Sequence, residues 1–120
     1  MNTPTTNEVV MQLAQLGRDL DHKQREIRDL DEAAVRARAR YEVTMSRNFL
    51  KAEGAMDVRK HTAIVESAEL KLDAEIADQV LRAARESIKV LRDRLEIGRS
   101  LNSAIRSEWT AQSAAQGLAA

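Results

Sequence analysis

The chain has no cysteine, and its 120 residues include one proline, one Phe, one Tyr and one Trp. Without cysteine there is no disulfide framework, no thiolate metal site and no cysteine nucleophile, which suits a reducing compartment. With four glycines and neither GxGxxG nor GxxxxGK[ST] spacing, a loop that cradles phosphates is excluded. Nineteen Lys+Arg balance nineteen Asp+Glu, so the net charge is +0 and no global field draws polyanions. Long apolar runs are missing too: none approaches the roughly 18 residues of a membrane span. The opening stretch MNTPTTNEVV lacks the basic-then-apolar order of a secretion signal. The expectation is a cytoplasmic protein with no membrane partner.

Catalysis needs convergent polar groups around a pocket, and the sequence offers none. His22 and His61 lie far apart and neither has a partner at metal-ligand spacing. Carboxylate pairs such as Asp29 and Asp31 belong on helix surfaces, where solvation accounts for them. No enzyme, no metal and no cofactor is expected.

What the chain does have is helix-forming sequence. It is 43% hydrophobic, much of that alanine, which favours helix but fills little volume. Residues 1–5 read as a flexible tail. Thr5 and Glu8 have capping-box spacing behind Pro4, so a helix starts near Thr6. Leu13, Leu16, Leu20, Ile27, Leu30, Ala34, Ala37 and Tyr41 then follow a heptad, with Lys23 interrupting. Gly54, suited to the left-handed position after a helix, and Asp57, suited to an N-cap, mark the one break. The predicted organisation is a single domain over 6–109, with a helix over about 6–52, a turn over about 53–57 and a helix over about 58–109. A flexible tail over 110–120 follows. The expected fold class is all-α: a long antiparallel, coiled-coil-like helical hairpin of helices roughly 70 Å long at 1.5 Å per residue.

The second helix carries two apolar stripes. Ala84, Ile88, Leu91, Leu95, Ile105 and Trp109 form one, with Gly98 allowing close approach and Trp109 anchoring the end. Val80, Ala83, Val90, Ile97, Leu101 and Ala104 form the other, about 100° round the axis. The first helix can cover one stripe. The other calls for a partner, most simply the same helix of another subunit, in a cyclic homo-oligomer. The expected oligomerisation residues are Val90, Leu91, Leu95, Ile97, Leu101 and Ile105.

Basic residues are grouped. Arg36, Arg40, Arg47 and Lys51 share one helix face opposite the apolar stripe, while Arg38 flanks the seam. Arg82, Arg85, Lys89, Arg92, Arg99 and Arg106 step along the second helix. Such rows suit a phosphate backbone. They also suit the hairpin itself. Folding about residue 55 brings Asp19, Asp21, Glu26 and Asp29 near Lys89, Arg85 and Arg82, and Arg36, Arg38 and Arg40 near Glu69, Asp73, Glu75 and Asp78. Tyr41 and Phe49 are the candidates for base stacking, with core packing the competing role for Tyr41.

Two stretches resemble the phage recombination mediators of the UvsY family. Ala34-Val35-Arg36-Ala37-Arg38-Ala39-Arg40-Tyr41 is similar to the family's basic helical segment, in which basic and small residues alternate before a tyrosine. Ala84-Arg85-Glu86-Ser87-Ile88-Lys89, on through Arg99 to Arg106, is similar to its oligomerising C-terminal helix. The resemblance implies a ring that binds single-stranded DNA, with Arg36 and Arg38 on the family's DNA-binding positions. It also implies partners: a RecA-like recombinase, loaded in place of single-strand-binding protein, in the host cytoplasm if the chain is phage-encoded. The recombinase would hydrolyse the ATP, so no cofactor is implied for this chain. The candidate nucleic-acid residues are Arg36, Arg38, Arg40, Arg47 and Lys51. A structural coiled-coil adaptor, or a hairpin that binds one partner helix as an inhibitor or chaperone, is the competing expectation.

Overall fold

A computed structural model describes residues 5–119, so residues 1–4 of the expected N-terminal tail, and Ala120, lie outside the described residues. The described residues are all-α: α1 (Thr6–Lys51), α2 (Met56–Glu66) and α3 (Ala68–Ala119). At the start of α1 the Thr5 N–H donates to Glu8 Oε2 (2.9 Å) and the Glu8 N–H donates to Thr5 Oγ1 (3.2 Å). This reciprocal pair satisfies donors that have no partner within the helix.

Gly54 turns the chain between α1 and α2, with φ at +109°, a conformation that costs glycine nothing and strains other residues. The turn is shorter than the predicted 53–57. Ala55, not Asp57, takes the N-cap position without a side-chain cap, and Asp57 falls in the first turn of α2, where its carboxylate faces the positive end of the helix dipole. The second predicted helix also divides in two at Ser67, whose φ of −103° and ψ of 4° leave the helical range. No glycine or proline marks the place. Ser67 is completely buried and its Oγ accepts a hydrogen bond from Asn48 Nδ2 of α1 at 3.0 Å. The interruption coincides with this polar pair inside the seam. Beyond it α3 runs on through Trp109 to Ala119, into the stretch expected as a tail.

The chain forms two compact units. Unit 2, Arg25–Glu86, holds the end of α1, all of α2 and the start of α3. Arg85 meets Asp31 at 3.7 Å, Arg38 meets Asp78, and Asn48 meets Ser67, so later residues of α1 pair with earlier residues of α2 and α3. The packing is antiparallel. Its buried apolar residues are Ala34, Ala37, Ala63, Ala74, Leu81 and Ala84. Small side chains let the helices approach closely, but each removes little apolar surface from water.

In unit 1, residues 6–24 of α1 accompany residues 87–119 of α3. Val9 and Ile88 are buried; Leu13, Leu16, Leu20, Leu91, Leu95 and Ile105 are half-buried. Gly98 admits Leu13 closely: a methyl built on it would fall 2.6 Å from Leu13 Cδ2. Asn102 also occupies a seam position, and its Oδ1 is buried without a hydrogen-bond partner. Among the described residues no helix is long and apolar enough to cross a membrane.

Candidate nucleic-acid interface

The basic face lies on the part of α1 that belongs to unit 2. One turn of helix brings a side chain back to the same side every three or four residues, which puts Arg36, Arg40, Arg47 and Lys51 on one surface, all exposed. Arg36, Ala39, Arg40, Val43, Thr44 and Arg47 line an open furrow of about 710 Å³ along it. Arg36 is held by Glu32, one turn earlier, through Nε to Oε1 and Nη2 to Oε1, both at 2.9 Å. Both partners are exposed, so solvent screens this pair and a phosphate can compete for the guanidinium. Arg40, Arg47 and Lys51 have no ion-pair partner among the described residues. Three cations stand free on one face.

Arg38 is placed differently. Its guanidinium is bound to Asp78 of α3, beside the seam. The partner lies further along α3 than Asp73, in the same register as the Asp31–Arg85 and Asn48–Ser67 pairs. On the same flank Arg85 meets Asp31. Acid–base pairing across the flank, rather than an open basic track, occupies Arg85 of the α3 row.

Neither aromatic candidate for base stacking is free on the basic face. Tyr41 is half-buried at a seam position, and Phe49, half-buried, lies under the Arg59 guanidinium at 4.9 Å from ring centroid to Cζ. The Nε of Arg59 is buried with no hydrogen-bond partner, so the ring face is its compensating contact. Trp109 does not anchor the end of its helix: it is 71% exposed. Contacts with the sugar-phosphate backbone are therefore the chemistry this face can offer.

The expected oligomerisation residues divide. In unit 1, Leu91, Leu95 and Ile105 are half-buried on the seam side, whereas Val90, Ile97 and Leu101 are exposed, Ile97 by 69%. In unit 2, Ile76 and Val80 are exposed as well. Across the described residues sixteen large apolar side chains are exposed against three that are buried, Val9, Leu81 and Ile88. His22 and His61 are exposed, and no three His, Asp or Glu side chains converge among the described residues.

Some contributors gave little sign of themselves in the sequence. Asn48 and Ser67 occupy heptad positions where apolar residues would be the norm, and that polarity was the available signal. The row Val58, Val65 and Leu72, exposed in unit 2, follows a seven-residue spacing and is shorter than the two stripes of α3. No protein-family model, curated protein or solved structure matches the chain.

Proposed function

We propose that the protein is a non-enzymatic recombination mediator that binds single-stranded DNA without sequence preference while assembled with copies of itself. The observation that carries this reading is the α1 face, where Arg40, Arg47 and Lys51 stand exposed and unpaired beside the weakly held Arg36. A row of cations at helical spacing contacts successive phosphates and releases their counterions, with no call on base identity. The second element is association. The exposed Val90, Ile97 and Leu101 of α3 form a stripe that a neighbouring subunit would cover, and repetition of the α1 face around a ring multiplies the phosphate contacts. The likeness to the UvsY family adds the biological setting: a strand held for a RecA-like recombinase to take over from single-strand-binding protein.

The test is a titration of labelled oligo(dT) at two salt concentrations. Each phosphate contact on a single strand contributes about −0.7 to the slope of log K against log salt. Replacing Arg40, Arg47 and Lys51 together by Gln should flatten that slope by roughly 2 and leave helicity unchanged. Binding that ignores salt would refute the reading.

The second reading is a coiled-coil adaptor without a nucleic-acid role. The Arg38–Asp78 and Arg85–Asp31 pairs favour it, since they employ basic residues in setting register.

A further inference from the structure

Two outward faces of unit 2 have opposite character. On α2 and the start of α3, Val58, Val65 and Leu72 recur every seven residues with Ile76 one turn on, and all four are exposed, Val65 by 74%. A second apolar heptad, away from the seam, belongs to a helix with a second packing face. The row passes Ser67 intact, because backbone hydrogen bonds run from Ser67 N–H to the Ala63 carbonyl and from Lys71 N–H to the Ser67 carbonyl, both 3.1 Å. The charges beside it are negative. Asp57, Glu66, Glu69, Asp73 and Glu75 are exposed, and none has an ion-pair partner among the described residues. Arg59, Lys60 and Lys71 lie more than about 100° away round the helix.

The outer face of α1 is the inverse. Val43 and Leu50 stand one heptad apart, both exposed, Leu50 by 75%. Around them are Arg36, which pairs with Glu32, and Arg40, Arg47 and Lys51, with the exposed Glu42 the one carboxylate lining the strip beside Val43 and Leu50, so the cations outnumber it. A heptad advances about 10.5 Å on either helix, so Val43 and Leu50 have the spacing to interleave with two successive members of the Val58–Val65–Leu72 row.

We infer that the acidic apolar face of α2 and α3 in one copy seats on the basic apolar face of α1 in a second copy. Like faces would set carboxylate against carboxylate or guanidinium against guanidinium, so the contact is heterologous, each copy giving one face and receiving the other. It uses neither Val90, Ile97 nor Leu101. One corollary rests on the nucleic-acid reading: a bound strand and the neighbour's carboxylates contend for Arg40, Arg47 and Lys51.

Two charge-swapped chains test the docking, Arg40→Glu with Arg47→Glu and Glu66→Arg with Glu69→Arg, all at exposed positions. Each alone opposes like charges, and sedimentation equilibrium should show association weakened by roughly tenfold or more against the unaltered chain. In an equimolar mixture the faces complement each other, the two chains alternate, and association should return. Undiminished association of either chain alone, or a mixture that stays dissociated with helical circular dichroism intact, would overturn the inference. Should a swapped chain lose helicity, the corresponding Gln pairs serve instead. They should weaken association and lessen its salt dependence, and unchanged association in both would overturn it equally. The Glu66→Arg/Glu69→Arg chain keeps the α1 cations and should bind oligo(dT) at least as tightly as the unaltered chain. If the unaltered chain binds no oligonucleotide while the mass series behaves as stated, the nucleic-acid role falls and the docking stands.

Discussion

A methyl group added at Gly17 would meet no atom within 4 Å, and the position lies inside α1. Gly17→Ala should therefore raise stability by about 0.5–1 kcal/mol, the helix-propensity difference alone. At Gly54 the same substitution meets the opposite sign. The φ of +109° strains any residue with a Cβ, and Gly54→Ala should lower stability by about 1 kcal/mol or more. Urea unfolding at one fixed chain concentration distinguishes the two, since the proposed association would contribute to the midpoint. Asn48 presents a third kind of environment. Removing its amide leaves the completely buried Ser67 hydroxyl without its partner, and Asn48→Ala should cost about 1–3 kcal/mol on the same assay.

Along α1, neighbouring arginines have different tasks. Arg38 is bound to the half-buried Asp78, and with the Arg38 side chain exposed to solvent that pair contributes about 1 kcal/mol. Arg38→Ala should shift the unfolding midpoint slightly and oligo(dT) affinity by less than the Arg40→Gln change, measured by fluorescence anisotropy. Under the proposed function the resemblance would put Arg36 and Arg38 on DNA, whereas exposure without an ion-pair partner makes Arg40, Arg47 and Lys51 the proposed contacts. Equal losses from Arg38→Ala and Arg40→Gln would show that the Asp78 pair yields to phosphate in solution.

For the molecule as a whole, the large apolar side chains left exposed are the dominant fact. Eight apolar residues are buried among the described ones and five of those are alanine, so burial within one chain supplies little of the transfer free energy that offsets chain entropy. Under the proposed self-association, Ile97→Asp with Leu101→Asp, at exposed positions, should reduce the mass in sedimentation while leaving helicity in place. Leu91→Asp should behave otherwise. That residue is half-buried on the seam side of unit 1, and a carboxylate there should lower helicity together with mass. Identical outcomes for the two changes would mean that stripe and seam are not separate surfaces.

Helix, seam and cap were legible in the amino-acid order because each depends on residues a few positions apart. The Thr5–Glu8 box, the heptad through Leu13, Leu16 and Leu20, the glycine turn and the shared face of Arg36, Arg40, Arg47 and Lys51 all follow from local dihedral preference and helical period. Which residue meets which across the seam does not. Arg38 reaches Asp78 in the register that also joins Asn48 to Ser67 and Asp31 to Arg85, and α2 parts from α3 at a position whose own sequence carries no breaker. These outcomes required the two sides of the hairpin to be packed together. The tertiary structure alone decided them, since register is settled by side chains that are distant in the chain and come into contact only on folding.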